Sequence, residues 1–377
     1  MNARQEAQQN GFEEMWEKVQ EILGEHVMPR IMVGGKTGVG KSSTLNALMG
    51  KHVYETGVLP TTRTIDESVW ETRDGDIVVV EVPGLGEAKA SELEDEGYKE
   101  CIKNLALLKA HLFILVLKCD DRALELENTF MDKLKIEPLL SELPVIVVIN
   151  QIDKITPVRD WEPDKLNLKT PKTEKEKNIR LFVDYVATLP NFQQVHDKGR
   201  IVPVCAGESY DDPLQYGIED LKDKIYSTLP DSAKTIFARA TELKKEEGDR
   251  ITKRYSLACA GAVAANFTPG SDALLIAPIQ VAMIIHLGKL HNIDVSTSTA
   301  SGLLSSIGLT LTGRFIAQEA VSFIPGLKNI VGPPLAFGLT YTLGKVVNGL
   351  FAQGKLDATK EDIKECLDKC ECEGNFV

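Results

Sequence analysis

Short apolar runs alternate with helical segments along the first 230 residues of the chain. Five runs occupy residues 31–33, 77–82, 112–117, 144–149 and 200–204. Runs that are apolar at nearly every position predict strands buried on both faces, which is typical of parallel sheets covered by helices. Another strand is expected before residue 77, across a turn at Asp74-Gly75. The pattern predicts an α/β domain whose mostly parallel sheet is flanked by helices, among them one at residues 122–140.

The two ends of the chain have different patterns. Residues 10–27 place apolar side chains at helical spacing, which predicts an amphipathic N-terminal helix. Near the other end, a charged helical stretch at 241–254 leads into uncharged tracts rich in Ala, Gly, Leu and Ile. These tracts occupy residues 255–271, 273–288, 295–313 and 329–344. The chain therefore divides into an amphipathic helix at 1–28, the α/β domain at 29–232 and an all-α hydrophobic domain at 233–377.

The hydrophobic tracts leave three arrangements open. Each is shorter than the roughly 20 residues of a membrane-spanning helix. Prolines interrupt them, at Pro269, Pro278, Pro325, Pro333 and Pro334. The tracts can pair as shallow hairpins in a bilayer, pack as the buried helices of a compact domain, or form a bundle that presents an apolar face to a bilayer or to another copy.

Composition narrows the classes of partner. The chain has 377 residues, with 55 acidic and 43 basic side chains and a net charge of −12. Nucleic acid is not expected as a partner, because its phosphates repel such a chain and no large Lys/Arg block is present. Seven scattered or terminal cysteines and the lack of an apolar leader predict a cytoplasmic protein with reduced thiols. The spacing of Cys366, Cys370 and Cys372 does not match a zinc site.

A phosphate-binding loop follows the first apolar run. Residues 35–42 read GKTGVGKS and fit G-x-x-x-x-G-K-[ST] between a strand and a helix. Backbone N–H groups of such a loop surround phosphate oxygens, and the helix directs its positive end at the same anion. We expect Lys41 to reach the β- and γ-phosphates and Ser42 to bind Mg²⁺. The nucleotide-binding residues predicted here are Gly35, Lys36, Thr37, Gly38, Val39, Gly40, Lys41, Ser42 and Ser43.

Two later segments have the features of nucleotide-sensing loops. Thr61 and Thr62 offer hydroxyl groups that can complete the Mg²⁺ shell when a γ-phosphate is present, and Thr62, directly before Arg63, is the preferred one of the two. Glu81 is the one charged residue of the run at 77–82 and lies at its tip, where it is expected to be a second metal ligand, with a side chain one methylene longer than the aspartate of most GTPases. The N–H of Gly84 is placed to meet the γ-phosphate. Leu85 stands where many small GTPases have the glutamine that orients the attacking water, so intrinsic hydrolysis is expected to be slow.

The guanine-reading residues follow the fourth and fifth runs. Asn150-Gln151-Ile152-Asp153 comes directly after residues 144–149, at a strand tip where open α/β sheets bind ligands. Asp153 can accept hydrogen bonds from the guanine N1–H and exocyclic NH₂, whereas adenine offers no such donor pair. A backbone N–H of the next strand tip is expected to contact the guanine carbonyl. That tip contains Cys205, Ala206 and Gly207.

The order GKTGVGKS, PTTR, EVPG, NQID and CAG resembles the Era-like branch of the P-loop GTPases of the TRAFAC class, and is most similar to the bacterial YfjP type. The tracts FTPGSDALLIAPIQVAMI and SFIPGLKNIVGPPLAFGLTYTLG resemble the hydrophobic helical domain of YcjF-like proteins. The first resemblance implies binding of GTP, GDP and Mg²⁺. The second implies no particular chemistry.

The sequence predicts a GTP-hydrolysing switch that couples its nucleotide state to rearrangement of the helical domain, at a membrane or in the cytoplasm. One alternative is a slow or non-hydrolysing GTP-dependent scaffold, suggested by Leu85. Another is a membrane-remodelling GTPase similar to the dynamin and IRG types. A homodimer through the nucleotide face or the helical domain is a candidate assembly, and an Era-like RNA-binding role is a weaker option.

Overall fold

The computed structural model describes residues 27–52, 54, 66–72, 75–81, 102, 106–107, 109–241, 243–265, 272–318 and 332–372. The chain forms two compact units, Met28–Phe237 and a second that includes the residues from Ala238 onward. Both this division and the predicted one at residue 232 fall within the helix Asp231–Ala240. The predicted N-terminal helix lies outside the described residues, apart from positions 27 and 28.

A six-stranded sheet forms the centre of the first unit. Its strands are β1 (Arg30–Gly34), β2 (Asp66–Thr72), β3 (Gly75–Glu81), β4 (Leu112–Lys118), β5 (Val145–Asn150) and β6 (Ile201–Pro203). They are ordered β2-β3-β1-β4-β5-β6, and only the pairing of β2 with β3 is antiparallel. Every residue of β5 is buried, as the apolar run predicts for a central strand. The predicted α/β fold with a mostly parallel sheet is confirmed.

Within the described residues, six helices accompany the sheet: the first four lie between strands in the sequence, the fifth follows β6, and the sixth spans the boundary between the two units. They are α1 (Lys41–Met49), α2 (Glu125–Ile136), α3 (Glu174–Thr188), α4 (Gln193–Asp197), α5 (Ile218–Thr228) and α6 (Asp231–Ala240). Three 3₁₀ turns precede α3, at Ile152–Lys154, Val158–Asp160 and Pro163–Lys165.

The boundaries of two helices have clear local causes. α2 is shorter than the predicted helix at 122–140, because Glu137 adopts an extended ψ of 114° ahead of Pro138. α3 begins at a capping box in which Thr173 accepts from the N–H of Glu176 and the Glu176 carboxylate accepts from the N–H of Thr173. Hydrogen bonds from the N–H groups of Thr173, Asn167 and Lys172 lower the pKa of Glu176 to about 2.

The second unit is helical where it is described. Its helices are α7 (Lys244–Ala264), α8 (Asp272–Leu290), α9 (Thr297–Gln318), α10 (Pro333–Ala352) and α11 (Lys360–Cys372). α7 joins the predicted charged stretch and the first apolar tract in one helix. Pro333 and Pro334 open α10, where a missing N–H costs nothing.

Pro278 does not interrupt its helix, contrary to the prediction. It lies inside α8, at a cost of about 3 kcal/mol for a proline in a helix interior. The helix continues because the following residues are core residues: Ala282, Met283, Ile284 and Leu287 are completely buried. Tertiary packing therefore outweighs the local signal. Among the described residues, none of the helices combines the length and the apolar character required to cross a membrane.

Close backbone approach fixes the packing of α7 against α10. A Cβ added at Gly344 of α10 would lie 2.5 Å from Cγ2 of Thr252 on α7, and one at Gly248 of α7 would lie 2.4 Å from the amide of Asn348. A partly buried hydrogen bond also fixes α8 against α10, because the side-chain amide of Gln280 in α8 donates to the hydroxyl of Thr340 in α10 over 2.9 Å. These contacts allow few alternative alignments of the three helices.

We predict that Gly344→Ala destabilises the protein by about 1–3 kcal/mol, because the new methyl group overpacks this contact. The matched control is Gly338→Ala in the same helix, where an added Cβ meets nothing within 4 Å. There the better helix propensity of alanine should leave stability unchanged or raise it by up to about 1 kcal/mol. Urea unfolding of the full chain followed by circular dichroism compares the two. Equal midpoints for both variants would contradict the packing described.

Candidate functional site

The glycine-rich loop connects β1 to α1 at the carboxyl edge of the sheet. Gly40 is the residue before α1 and has φ 89°, a left-handed conformation that glycine adopts without strain. A Cβ at this position would lie 2.3 Å from Nδ2 of Asn150, so the loop backbone and β5 meet without space for a side chain. The loop is therefore held close to the tip of β5.

The Lys41 side chain is buried within the loop. Its ammonium group donates to the carbonyls of Gly35 and Lys36, both over 3.3 Å. The positive charge thus lies beside the loop backbone, on the same side as the amino end of α1. Both features favour an anion at this point.

Ser42 and Glu81 form an oxygen pair next to the loop. The hydroxyl of Ser42 lies 2.8 and 3.0 Å from the two carboxylate oxygens of Glu81, which ends β3 and is buried. With Mg–O distances of about 2.0–2.1 Å, neighbouring ligands of an octahedral Mg²⁺ lie about 2.9 Å apart. The separation fits such a pair, so the longer side chain of Glu81 does not remove its carboxylate from Ser42.

The side chain of Asn150 joins three loops. Its amide nitrogen donates to the carbonyl of Val39 over 3.0 Å, and its oxygen accepts from the N–H of Gln151 over 2.8 Å and from that of Ala206 over 3.2 Å. The amide nitrogen of Gln151 donates to the carbonyl of Gly38 over 3.1 Å. In this structure both predicted guanine-motif amides bind the protein backbone and order the site.

A cavity of about 510 Å³ opens beside these loops. Asp153 and Cys205 lie in its wall, and the Cys205 thiol donates to a carboxylate oxygen of Asp153 over 3.3 Å. Burial raises the pKa of Cys205 to about 12, so the thiol keeps its proton at neutral pH and stays a donor. The lining residues are Gly40, Ser43, Asn150, Gln151, Asp153, Lys154, Trp161, Cys205, Ala206, Gly207, Glu208, Asp212 and Leu214.

The side chain of one predicted site residue points away from the phosphate-binding loop, and other predicted site residues lie outside the residues that the structure describes. The Lys36 side chain binds Asp121 over 2.9 Å and Glu127 over 3.2 Å, so its ammonium group is turned toward the start of α2. Thr37 is exposed in the loop. Thr62, Gly84 and Leu85 lie outside the described residues.

Sequence reasoning missed two groups of residues around the site. Trp161 contributes to the cavity wall from the segment between the fourth and fifth motifs, where no spacing rule marks it. Asp121 and Glu127 hold Lys36 from the start of α2. No sequence signal relates this second group to Lys36, although the structure shows Asp121 in a turn in which its carboxylate accepts the N–H of Ala123.

Family models match one segment in each of the two parts of the chain. The model of the AIG1 family matches residues 29–137, and the model described as a domain of unknown function, DUF697, matches residues 233–358. Together with the relatives below, these matches confirm the resemblance to an Era-like GTPase joined to a hydrophobic helical domain.

Several curated proteins are similar to the first part. YfjP of Escherichia coli is 30% identical over 210 residues, which are 55% of this chain and 64% of YfjP. The probable GTP-binding protein EngB of Lactobacillus delbrueckii is 30% identical over 183 residues, which are 45% of this chain and 84% of EngB. GTPase Era of Caldanaerobacter subterraneus is 28% identical over 200 residues, covering 52% of this chain and 54% of Era. The chain thus spans less than two thirds of YfjP and of Era.

Solved structures were compared as well. The crystal structure of a probable GTP-binding protein EngB is 20% identical and aligns over 53% of this chain and 97% of its own, with a TM-score of 0.34. A score of this size adds nothing to the fold described above.

We predict that Asn150→Ala destabilises the protein by more than about 2 kcal/mol. The substitution leaves the carbonyl of Val39 and the N–H of Ala206 without their partner, and each buried unsatisfied group costs about 1–3 kcal/mol. The matched control is Asn178→Ala, which loses one exposed hydrogen bond to the carbonyl of Thr156 and should cost about 1 kcal/mol or less. Thermal unfolding of the ligand-free chain measures both. A control that loses as much as Asn150→Ala would refute the bridging role.

Proposed function

We propose that this chain, which belongs to the Era- and EngB-like P-loop GTPases and carries a DUF697 domain, is a guanine-nucleotide switch that binds and hydrolyses GTP. One observation carries the proposal: the loops at residues 35–42, 150–153 and 205–207 meet at one edge of the sheet, joined through the side chain of Asn150. Phosphate-binding and base-binding elements therefore border the same cavity.

The base end of the cavity favours guanine. The Asp153 carboxylate lies in its wall, where it can accept from the N1–H and the exocyclic NH₂ of guanine together. Adenine has no such pair of donors. If adenine occupied the site, the carboxylate would be left without hydrogen-bond donors, and the binding free energy would be less favourable by several kcal/mol, as an order of magnitude. The backbone of Cys205, Ala206 and Gly207 borders the same end.

In the proposal, the phosphate end supplies a cationic group and oxygen ligands to a nucleoside triphosphate and its metal ion. In the proposal the Lys41 ammonium group leaves the carbonyls of Gly35 and Lys36 and binds the β- and γ-phosphates. Ser42 and Glu81 are the residues that would hold Mg²⁺, which when bound neutralises charge on the phosphate oxygens. Thr62 as a further metal ligand and Gly84 as a γ-phosphate donor remain parts of the proposal.

Hydrolysis is expected to need help from outside the described site. Leu85 has no group that can orient water, so the intrinsic rate is slow, and a second copy or a partner supplies the missing group. The second candidate function is a scaffold that binds GTP and hardly hydrolyses it. It is suggested by the same residue, Leu85. In the proposal, the change from GTP to GDP rearranges the helical domain. One consequence of this rearrangement would be contact with a membrane surface.

Membrane contact in the proposal would use exposed apolar side chains of the helical unit. Leu257 of α7 is 57% exposed and Leu335 of α10 is 45% exposed. Flotation with liposomes in GTP and in GDP tests this part, and the same lack of binding in both nucleotides removes it from the proposal.

We predict that Lys41→Ala weakens GDP and GTP binding on the order of 100-fold or more, since a hydrogen bond to a charged group contributes about 1.5–3 kcal/mol and Lys41 would make at least two. Calorimetry with the purified chain gives the affinities. The matched control is Lys198→Ala, at an exposed lysine outside the cavity, which should bind as the wild type does. A wild-type chain that takes up neither nucleotide, or takes up ATP equally well, rules out the proposed function.

We also predict that the single-turnover rate of GTP hydrolysis rises with protein concentration, because a second copy completes the site. The measurement uses trace GTP and the full chain over a series of concentrations that all lie well above the dissociation constant for GTP, so that binding is saturated throughout. A slow rate that is independent of concentration favours the scaffold instead, or a catalytic group from another protein.

A further inference from the structure

Trp161 lines the candidate base-binding cavity, although it belongs to none of the nucleotide-binding motifs. It follows the 3₁₀ turn Val158–Asp160 and shares the cavity wall with Asp153 and Cys205. An indole in the wall can offer a flat apolar surface to a planar ligand. The sequence gives no periodic reason for a tryptophan here.

Three contacts hold the indole in one orientation. Its Nε1–H donates to the carbonyl of Leu214 over 3.1 Å. The ring of Tyr216 lies edge-on, with the ring centroids 6.2 Å apart and an angle of 75° between the planes. The ammonium group of Lys175 lies 5.3 Å from the indole centroid. A side chain fixed in this way loses little entropy when a ligand packs against it.

Lys175 connects the indole to the turn that carries Asp153. Its ammonium group is buried and donates to the carbonyls of Asp153 over 2.5 Å and of Ile155 over 2.6 Å. Burial lowers the pKa of Lys175, and the negative charge of Asp153 opposes this effect. The same cation therefore contacts the backbone of the turn and the face of the indole.

We propose that Trp161 is the side chain on which the purine base packs, and that Lys175 is a positioning residue that aligns Trp161 with Asp153. The inference rests on the proposed function and deepens it, because it divides recognition of the base between the indole of Trp161 and the carboxylate of Asp153. Packing on the indole adds affinity for any purine, since every base has a π face. Asp153 adds the preference for guanine, since it reads the N1–H and the exocyclic amine.

The test compares GDP with inosine diphosphate, which lacks the exocyclic amine. We expect Trp161→Ala to weaken both nucleotides by the same factor, about 10- to 100-fold, as for removal of a base-stacking aromatic residue. The GDP-to-IDP affinity ratio should stay at the wild-type value. Lys175→Met should instead lower this ratio, because Asp153 loses the anchor of its turn. A ratio is insensitive to a uniform loss of folded protein.

Two further variants keep the test decisive. The chain has tryptophans at positions 16, 70 and 161, and GDP should change the tryptophan emission of the wild type. In Trp161→Phe, which keeps an aromatic ring, that change should be lost while GDP binding falls less than about 10-fold. Tyr185→Ala removes an aromatic side chain that lies outside the cavity lining, and should bind GDP as the wild type does.

The outcomes separate the two levels of the proposal. If the wild type binds no GDP, the proposed function fails. If the wild type binds GDP and Trp161→Ala binds it equally well, the inference about Trp161 is wrong and the proposed function stands. An unchanged GDP-to-IDP ratio in Lys175→Met overturns the positioning role.

Discussion

The side-chain amide of Asn150 is the interaction on which the site depends. The edge of a parallel sheet presents loops that are far apart in sequence; the strand spacing sets where each loop begins, but not how closely the loop backbones approach one another. The amide uses its donor on the glycine-rich loop and its acceptor on the backbone of Gln151 and Ala206. Because the group is buried, losing any of these bonds leaves an unsatisfied polar atom, so the three loops are held as one unit.

The sequence was most informative where local pattern and tertiary structure impose the same requirement. Buried parallel strands must be apolar on both faces, so β4 and β5 were visible as continuous runs. The glycine-rich loop was visible because a left-handed backbone and a close approach leave glycine as the residue without strain at position 40. The predicted end of α2 at residue 140 was wrong, because the effect of Pro138 on the residue before it was not taken into account.

Tertiary contacts decided the remaining features. Pro278 is a helix breaker by local rules, yet α8 continues through it because the residues that follow are buried. The direction of the Lys36 side chain depends on Asp121 and Glu127, about 85 to 90 positions away in the sequence, which no spacing rule relates to it. Trp161 gave no local signal, because its role depends on how a loop folds against the cavity. The helical unit is specified in the same way, by contacts such as that of Gly344 with Thr252.

The pair formed by Ser42 and Glu81 would link metal binding to the orientation of one hydroxyl group. In the structure the Ser42 hydroxyl donates to the Glu81 carboxylate. A cation held by both residues would need the lone pairs of the serine oxygen, so the hydroxyl hydrogen would have to turn away from the carboxylate. In that orientation the same hydroxyl could donate to an acceptor on the ligand side.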